Sequence, residues 1–197
     1  MAEVKYKLLK DYVPPIYRQQ SVSLEFFLDP KKTVLKSKIH FSHNDDKPTD
    51  LILQGENIRL SYLKIDGEQI VLDHLIFINH NLVIPKKFLG PRDFQVEMEN
   101  ILNPSTNRTL EGLYLSEGIL VTQCEPEGFR KICYSLDRPD VLSTYTVRIH
   151  GSYAHLLSNG NPVTISKNYT KWHDPFPKPS YLFALVAGNL ISVSYTH

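Results

Sequence analysis

The residues best placed to do chemistry lie in one stretch, Ile119-Leu120-Val121-Thr122-Gln123-Cys124-Glu125-Pro126-Glu127-Gly128-Phe129-Arg130. An apolar run there ends directly at Gln123, Glu125 and Glu127, and polar side chains at the end of a rigid strand are held well enough to act on a ligand. The same residues also read as a solvated turn, with Glu125 and Glu127 pairing with Arg130 or Lys131. The residues alone leave both readings open.

The remaining candidates are weaker. Eight His residues invite a metal reading, but His40 and His43 are three apart on an alternating segment and so fall on opposite faces. His150 and His155 are separated by Gly151 and a loop. Cys124 and Cys133 are nine residues apart with no second pair, a spacing that fits buried, inert, reduced thiols better than structural zinc. The sequence contains no G-x-x-x-x-G-K-[ST] loop, no G-x-G-x-x-G, no G-x-S-x-G elbow and no H-E-x-x-H pair. No autonomous active site is therefore expected.

The elements that must position Gln123 and Glu125 are strands. Composition supplies 15 Ile, 13 Val, 11 Tyr, 10 Thr and 9 Phe against 4 Ala, which favours sheet over helix. At 197 residues one domain is the expectation. A formal charge of +1 gives no field to attract phosphate backbones or anionic lipid, so neither nucleic acid nor membrane is an expected partner. The charged start Met-Ala-Glu-Val-Lys-Tyr-Lys lacks an apolar signal region, and the chain is expected to be cytoplasmic. The sequons at Asn107 and Asn168 then carry no sugar.

Period-two alternation predicts strands at 21–28, 34–41, 51–53, 58–65 and 69–72, with Asp66-Gly67 as a type I′ hairpin turn. Further strands are predicted at 75–78, 82–84, 94–98, 112–115, 119–122 and 145–149. Pro139 marks a single helical turn within 137–142, and the three prolines of 171–179 mark an extended surface connection. The apolar run 181–187 reads as a strand buried on both faces, and Ile191, Val193 and Tyr195 continue an alternating pattern to the last residue. A chain that stops inside a strand pattern is expected to be one domain of a longer protein.

Five motifs then carry a resemblance that spans essentially the whole chain in order. They are Asn107 with Leu110-Glu111-Gly112-Leu113-Tyr114; Thr122-Gln123-Cys124-Glu125-Pro126-Glu127-Gly128-Phe129-Arg130; Leu136-Asp137-Arg138-Pro139-Asp140-Val141-Leu142; Leu156-Leu157-Ser158-Asn159-Gly160-Asn161; and Asp174-Pro175-Phe176-Pro177-Lys178-Pro179 through Gly188. Together they resemble the amino-terminal domain of bacterial aminopeptidase N, a zinc metallopeptidase of the gluzincin type. The resemblance implies an all-β, antiparallel, saddle-shaped or sandwich-like domain with little helix over residues 1–197. It implies a separate catalytic domain that binds zinc and carries H-E-x-x-H and G-A-M-E-N, neither of which is in this chain.

By the same resemblance, Gln123 lines the pocket for the first side chain and Glu125 helps to hold the substrate's free α-amino group. The implied partners are peptides with a free amino terminus and the protein's own catalytic domain. No catalytic residue, metal ligand or bound cofactor is expected in this chain itself. Ile132-Cys133-Tyr134-Ser135-Leu136-Asp137-Arg138-Pro139 follows the bacterial pattern rather than the P-C-x-D-E-P of other relatives, which implies a broad-specificity aminopeptidase rather than a leukotriene hydrolase. A free-standing β-sandwich module that binds protein or carbohydrate is the competing reading.

Overall fold

A computed structural model describes residues 8–44, 49–191 and 193. Among these, fifteen strands and six single-turn 3-10 helices make an all-β domain. The strands are β1 (Tyr17–Phe27), β2 (Thr33–His43), β3 (Leu51–Leu53), β4 (Arg59–Ile65), β5 (Glu68–Ile70), β6 (Ile76–Ile78), β7 (Asn81–Ile84) and β8 (Asp93–Leu102). They continue with β9 (Gly112–Ser116), β10 (Ile119–Gln123), β11 (Ser143–His150), β12 (His155–Ser158), β13 (Asn161–Ser166), β14 (Tyr169–Lys178) and β15 (Leu185–Gly188). Three sheets result, in the orders β13-β14-β11-β1-β2-β8-β4-β5, β12-β15-β10-β9 and β3-β7-β6.

Alternation decides what each sheet buries. Val22, Leu24 and Phe26 of β1, Leu35, Ile39 and Phe41 of β2, and Phe94, Val96 and Met98 of β8 share the inner face of the large sheet. Leu113, Leu120, Leu185, Ala187 and Leu156 of the four-stranded sheet, and Leu51, Leu53, Leu82 and Ile84 of the three-stranded one, join them in one continuous core. Burying each such large aliphatic or aromatic side chain stabilises the fold by about 1.5–3 kcal/mol relative to leaving it exposed.

The Asp66-Gly67 turn forms as expected, with both residues at positive φ, 50° and 88°, between the paired Ile65 and Glu68. The ladders are antiparallel with one exception: β1 pairs with β11 in parallel, so its antiparallel hairpin partner β2 and the distant β11 flank it on either side.

Four expectations are corrected. Residues 137–142 form no helix; Arg138 N donates to Leu136 O at 3.0 Å, bending the chain at Asp137, and a reverse turn closes on Val141 N donating to Arg138 O at 3.2 Å. Residues 171–179 are no surface connection but most of β14, an interior strand between β13 and β11. Its Pro175 and Pro177 are tolerated because the ladder with β11 slips between Asp174 and Lys178, where no N–H is needed. The run 181–187 is a strand only from Leu185: Asn159 accepts from Ala184 N and donates to Leu182 O, which fixes the preceding residues as a 3-10 turn at Ser180–Leu182. Ile191 and Val193 lie outside any strand, and Ser192 and residues 194–197 of that expected strand lie outside the described residues. Strands β12 and β13 were not predicted at all; each is short, and they are joined through Gly160 at φ 83°.

Candidate functional site

Strands β9 and β10 form a tight hairpin through Glu117 and Gly118, both at positive φ, and Gln123 is the last residue of β10, opposite Gly112. The chain then turns sharply. Gly128 N donates to Cys124 O at 2.8 Å, closing the five residues that carry Glu125 and Glu127. A β-carbon at Gly128 would sit 2.4 Å from Gln123 O and 2.9 Å from Cys124 Cα, so only glycine lets the turn fold back on the strand end. Gly112 has φ 71°, and a β-carbon there would lie 2.7 Å from Lys131 Cβ.

The turn is anchored from below. Cys124 and Phe129 are buried, and the Phe129 ring stands edge-on to Tyr145 (centroids 6.2 Å) and Phe183 (5.3 Å). Burial, with the Asp137 charge adding to it, raises the Cys124 thiol well above the ordinary range, and burial pushes Cys133 up to about 12. Both cysteines are free thiols. On the polar side, Asp137 accepts from Arg130 N and Arg130 Nε, from Ser180 Oγ, and its own N donates to Gln54 Oε1 at 2.9 Å. Gln19, which is buried, accepts from Leu136 N at 3.0 Å. Gln19, Gln54 and Ser180 were not singled out in the sequence; the only trace they leave is a polar residue at a position where strand alternation or an adjacent turn faces inward.

Charges around the turn are paired, with one exception. Glu127 bonds Arg130 at 3.1 Å. Lys131 bonds Glu111 at 2.6 Å and Glu56 at 3.2 Å; burial opposes its charge, but these two carboxylates outweigh that effect and raise its pKa. Glu125 is exposed and has no ion-pair partner among the described residues. The pairing expected for a solvated turn is thus found at Glu127 and Arg130, while Glu125 is exposed in the same turn without such a partner. Gln123 is also exposed, and its Nε2 donates to the Glu125 backbone O at 3.3 Å, which brings the two candidates side by side.

Near this turn lies a recess of about 340 Å³ lined by Glu56, Asn57, Asn107, Thr109 and Lys131. Gln123 and Glu125 are not among its lining residues. Asn107 supports its wall, its Nδ2 donating to Glu111 O (2.8 Å) and Leu113 O (3.0 Å). Among the described residues, no three His, Cys, Asp or Glu side chains converge to offer a metal a donor set. No helix among them is long and apolar enough to cross a membrane.

Residues 14–182 match the family described as the Peptidase M1 N-terminal domain, and the chain belongs to that family. Aminopeptidase N of Caulobacter vibrioides is 42% identical over 189 residues, covering 92% of this chain and 22% of that protein. Aminopeptidase N of Escherichia coli is 38% identical, covering 95% of this chain and 22% of that protein. The crystal structure of Legionella pneumophila aminopeptidase A in complex with aspartic acid superposes with a TM-score of 0.84 at 34% identity, over 96% of this chain and 23% of that one. The chain thus spans about a fifth of the length of the relatives it matches.

Proposed function

We propose that this chain is the amino-terminal domain of an M1-family zinc aminopeptidase that removes amino-terminal residues from peptides in the cytoplasm. The observation that carries this reading is Glu125, the one carboxylate of its turn left without a cation, beside the exposed amide of Gln123. An aminopeptidase must select a protonated amine, and an unpaired carboxylate on a rigid support supplies both the charge and the hydrogen-bond direction to do so. Gln123, one pleat back on the strand, lines the space for the first side chain. The zinc of such an enzyme finds no donor set in the described residues of this chain, and its ligands and the general base belong to the catalytic domain on which this domain packs.

The test is made in the complete enzyme. Gln123→Ala should reorder preference among first side chains while leaving the need for a free amine intact. An unaltered preference order would remove Gln123 from the site. Reading the gene past residue 197 checks the parent: an H-E-x-x-H is expected downstream, and an immediate stop would favour a free-standing binding module.

A further inference from the structure

Asn159-Gly160 is the only Asn-Gly pair in the chain. A backbone nitrogen can attack the side-chain amide of the residue before it, and glycine brings no side chain to hinder that approach. In the reaction a bond forms between Gly160 N and Asn159 Cγ, and the Cγ–Nδ2 bond breaks. The Nδ2 group leaves as ammonia, taking the proton of Gly160 N. Water then opens the succinimide ring at one carbonyl or the other and leaves aspartate or isoaspartate at position 159.

The fold places this pair in the link between β12 and β13 and ties down its side chain. Asn159 Oδ1 accepts from Ala184 N at 2.6 Å, and Nδ2 donates to Leu182 O at 3.0 Å. To bring Cγ onto Gly160 N the side chain must turn about Cα–Cβ, which breaks both bonds. Gly160 cannot make the approach instead. Its φ is 83°, and a β-carbon there would lie 2.3 Å from His173 O and 2.7 Å from Asp174 Cα, so its backbone is pressed against β14. Asn159 is only partly buried, so the tether rather than exclusion of water is what separates the reacting atoms.

We propose that Asn159-Gly160 is a deamidation site guarded by these two hydrogen bonds: it reacts in molecules whose β12–β13 turn has opened, and the product keeps the turn from closing again. Such local openings occur well below global unfolding. Aspartate at 159 puts a charged oxygen where Nδ2 was, facing Leu182 O with no proton between them, and a buried or half-buried acceptor left so is costly. Isoaspartate also lengthens the main chain between β12 and β13. The damage spreads along the tethered segment. Its Phe183 ring stands edge-on to Phe129 at 5.3 Å, and the next residue but one, Leu185, donates from its N to Thr122 Oγ1 at 2.8 Å. Thr122 immediately precedes Gln123, so a reacted Asn159 loosens the support of the Gln123–Arg130 turn.

Peptide mass mapping of the chain at mildly alkaline pH, held folded in one sample and in urea in another, tests the proposal. In urea Asn159 should lose ammonia before any other Asn. In the folded chain the loss should be at least about tenfold slower, the factor that an opening cost of ~1.4 kcal/mol produces. Equal rates in the two samples, or earlier loss at another Asn in urea, would overturn the proposal. The product is tested by substitution. Asn159→Asp should lower the urea midpoint at unchanged slope, whereas Asn161→Asp, which adds the same charge at an exposed position two residues on, should not. Equal midpoints for the two variants would show that the reacted turn closes normally. Failure of Asn159→Asp alone to fold would bear out the exclusion of the product, and the mass map of the parent chain would still decide the guard.

Discussion

Asp137 holds Arg130 at three points. Its Oδ2 accepts from Arg130 N at 3.1 Å and from Nε at 2.9 Å, and its backbone O accepts from Nη2 at 3.0 Å. The Asp137 side chain is 1% exposed and that of Arg130 21%, so this is a mostly desolvated pair that fastens one end of the Gln123–Arg130 turn to the core.

Removing one partner of such a pair leaves the other uncompensated. Asp137→Ala should therefore destabilise the chain by about 3 kcal/mol, the lower end of the range for buried pairs because Arg130 retains some water. Urea unfolding would show this as a lower midpoint at unchanged slope. A loss below about 1 kcal/mol would mean that the pair is no anchor.

Gly128→Ala tests the tightness of the turn itself. With Gln123 O only 2.4 Å from the new methyl, the backbone must move, and a cost of about 1–3 kcal/mol is expected, as for other overpacked sites. The same substitution at Gly118, where a β-carbon meets nothing within 4 Å, carries only the strain of its positive φ and should cost less. Equal losses at the two positions, by thermal or urea unfolding, would contradict the close approach.

The thiols of Cys124 and Cys133 are buried and held protonated through neutral and mildly alkaline pH by their burial. A thiolate-selective reagent applied between pH 7 and 9 should leave both unmodified in the folded chain and modify both after denaturation. Rapid modification of either in the folded chain would place it at the surface.

Metal should be irrelevant to the stability of this chain. With no donor set among the described residues, adding a chelator should leave its melting temperature unchanged, and zinc added in equimolar amount should not raise it. A zinc-dependent rise would reveal a site.

Strands whose inner and outer faces differ in polarity were legible from the sequence. The alternation in β1, β2, β8 and β11 predicted their facing, and the positive φ at Asp66 and Gly67 followed from the residue types. What alternation could not reveal was set at a distance. Nothing local states that β14 would be recruited between β13 and β11 despite its prolines, or that β1 would take a parallel partner more than 100 residues away. Gln123 and Glu125 were picked out by their place at a strand end and by family resemblance. The contacts that fix them were not, because Asp137, Ser180 and Gln54 meet only once the core is assembled.

Glu125→Gln in the complete enzyme tests most directly whether Glu125 meets the substrate ammonium. The substitution keeps the shape and removes the charge, so the loss should be that of a charge-assisted hydrogen bond, about 1.5–3 kcal/mol. That corresponds to a roughly 10- to 150-fold fall in kcat/KM for peptides with a free amino terminus, with zinc content unchanged. The fall should come chiefly through KM if the contact holds ground and transition states alike. A kcat/KM within about twofold of the parent, at full zinc content, would contradict the account and leave Glu125 a solvated turn residue.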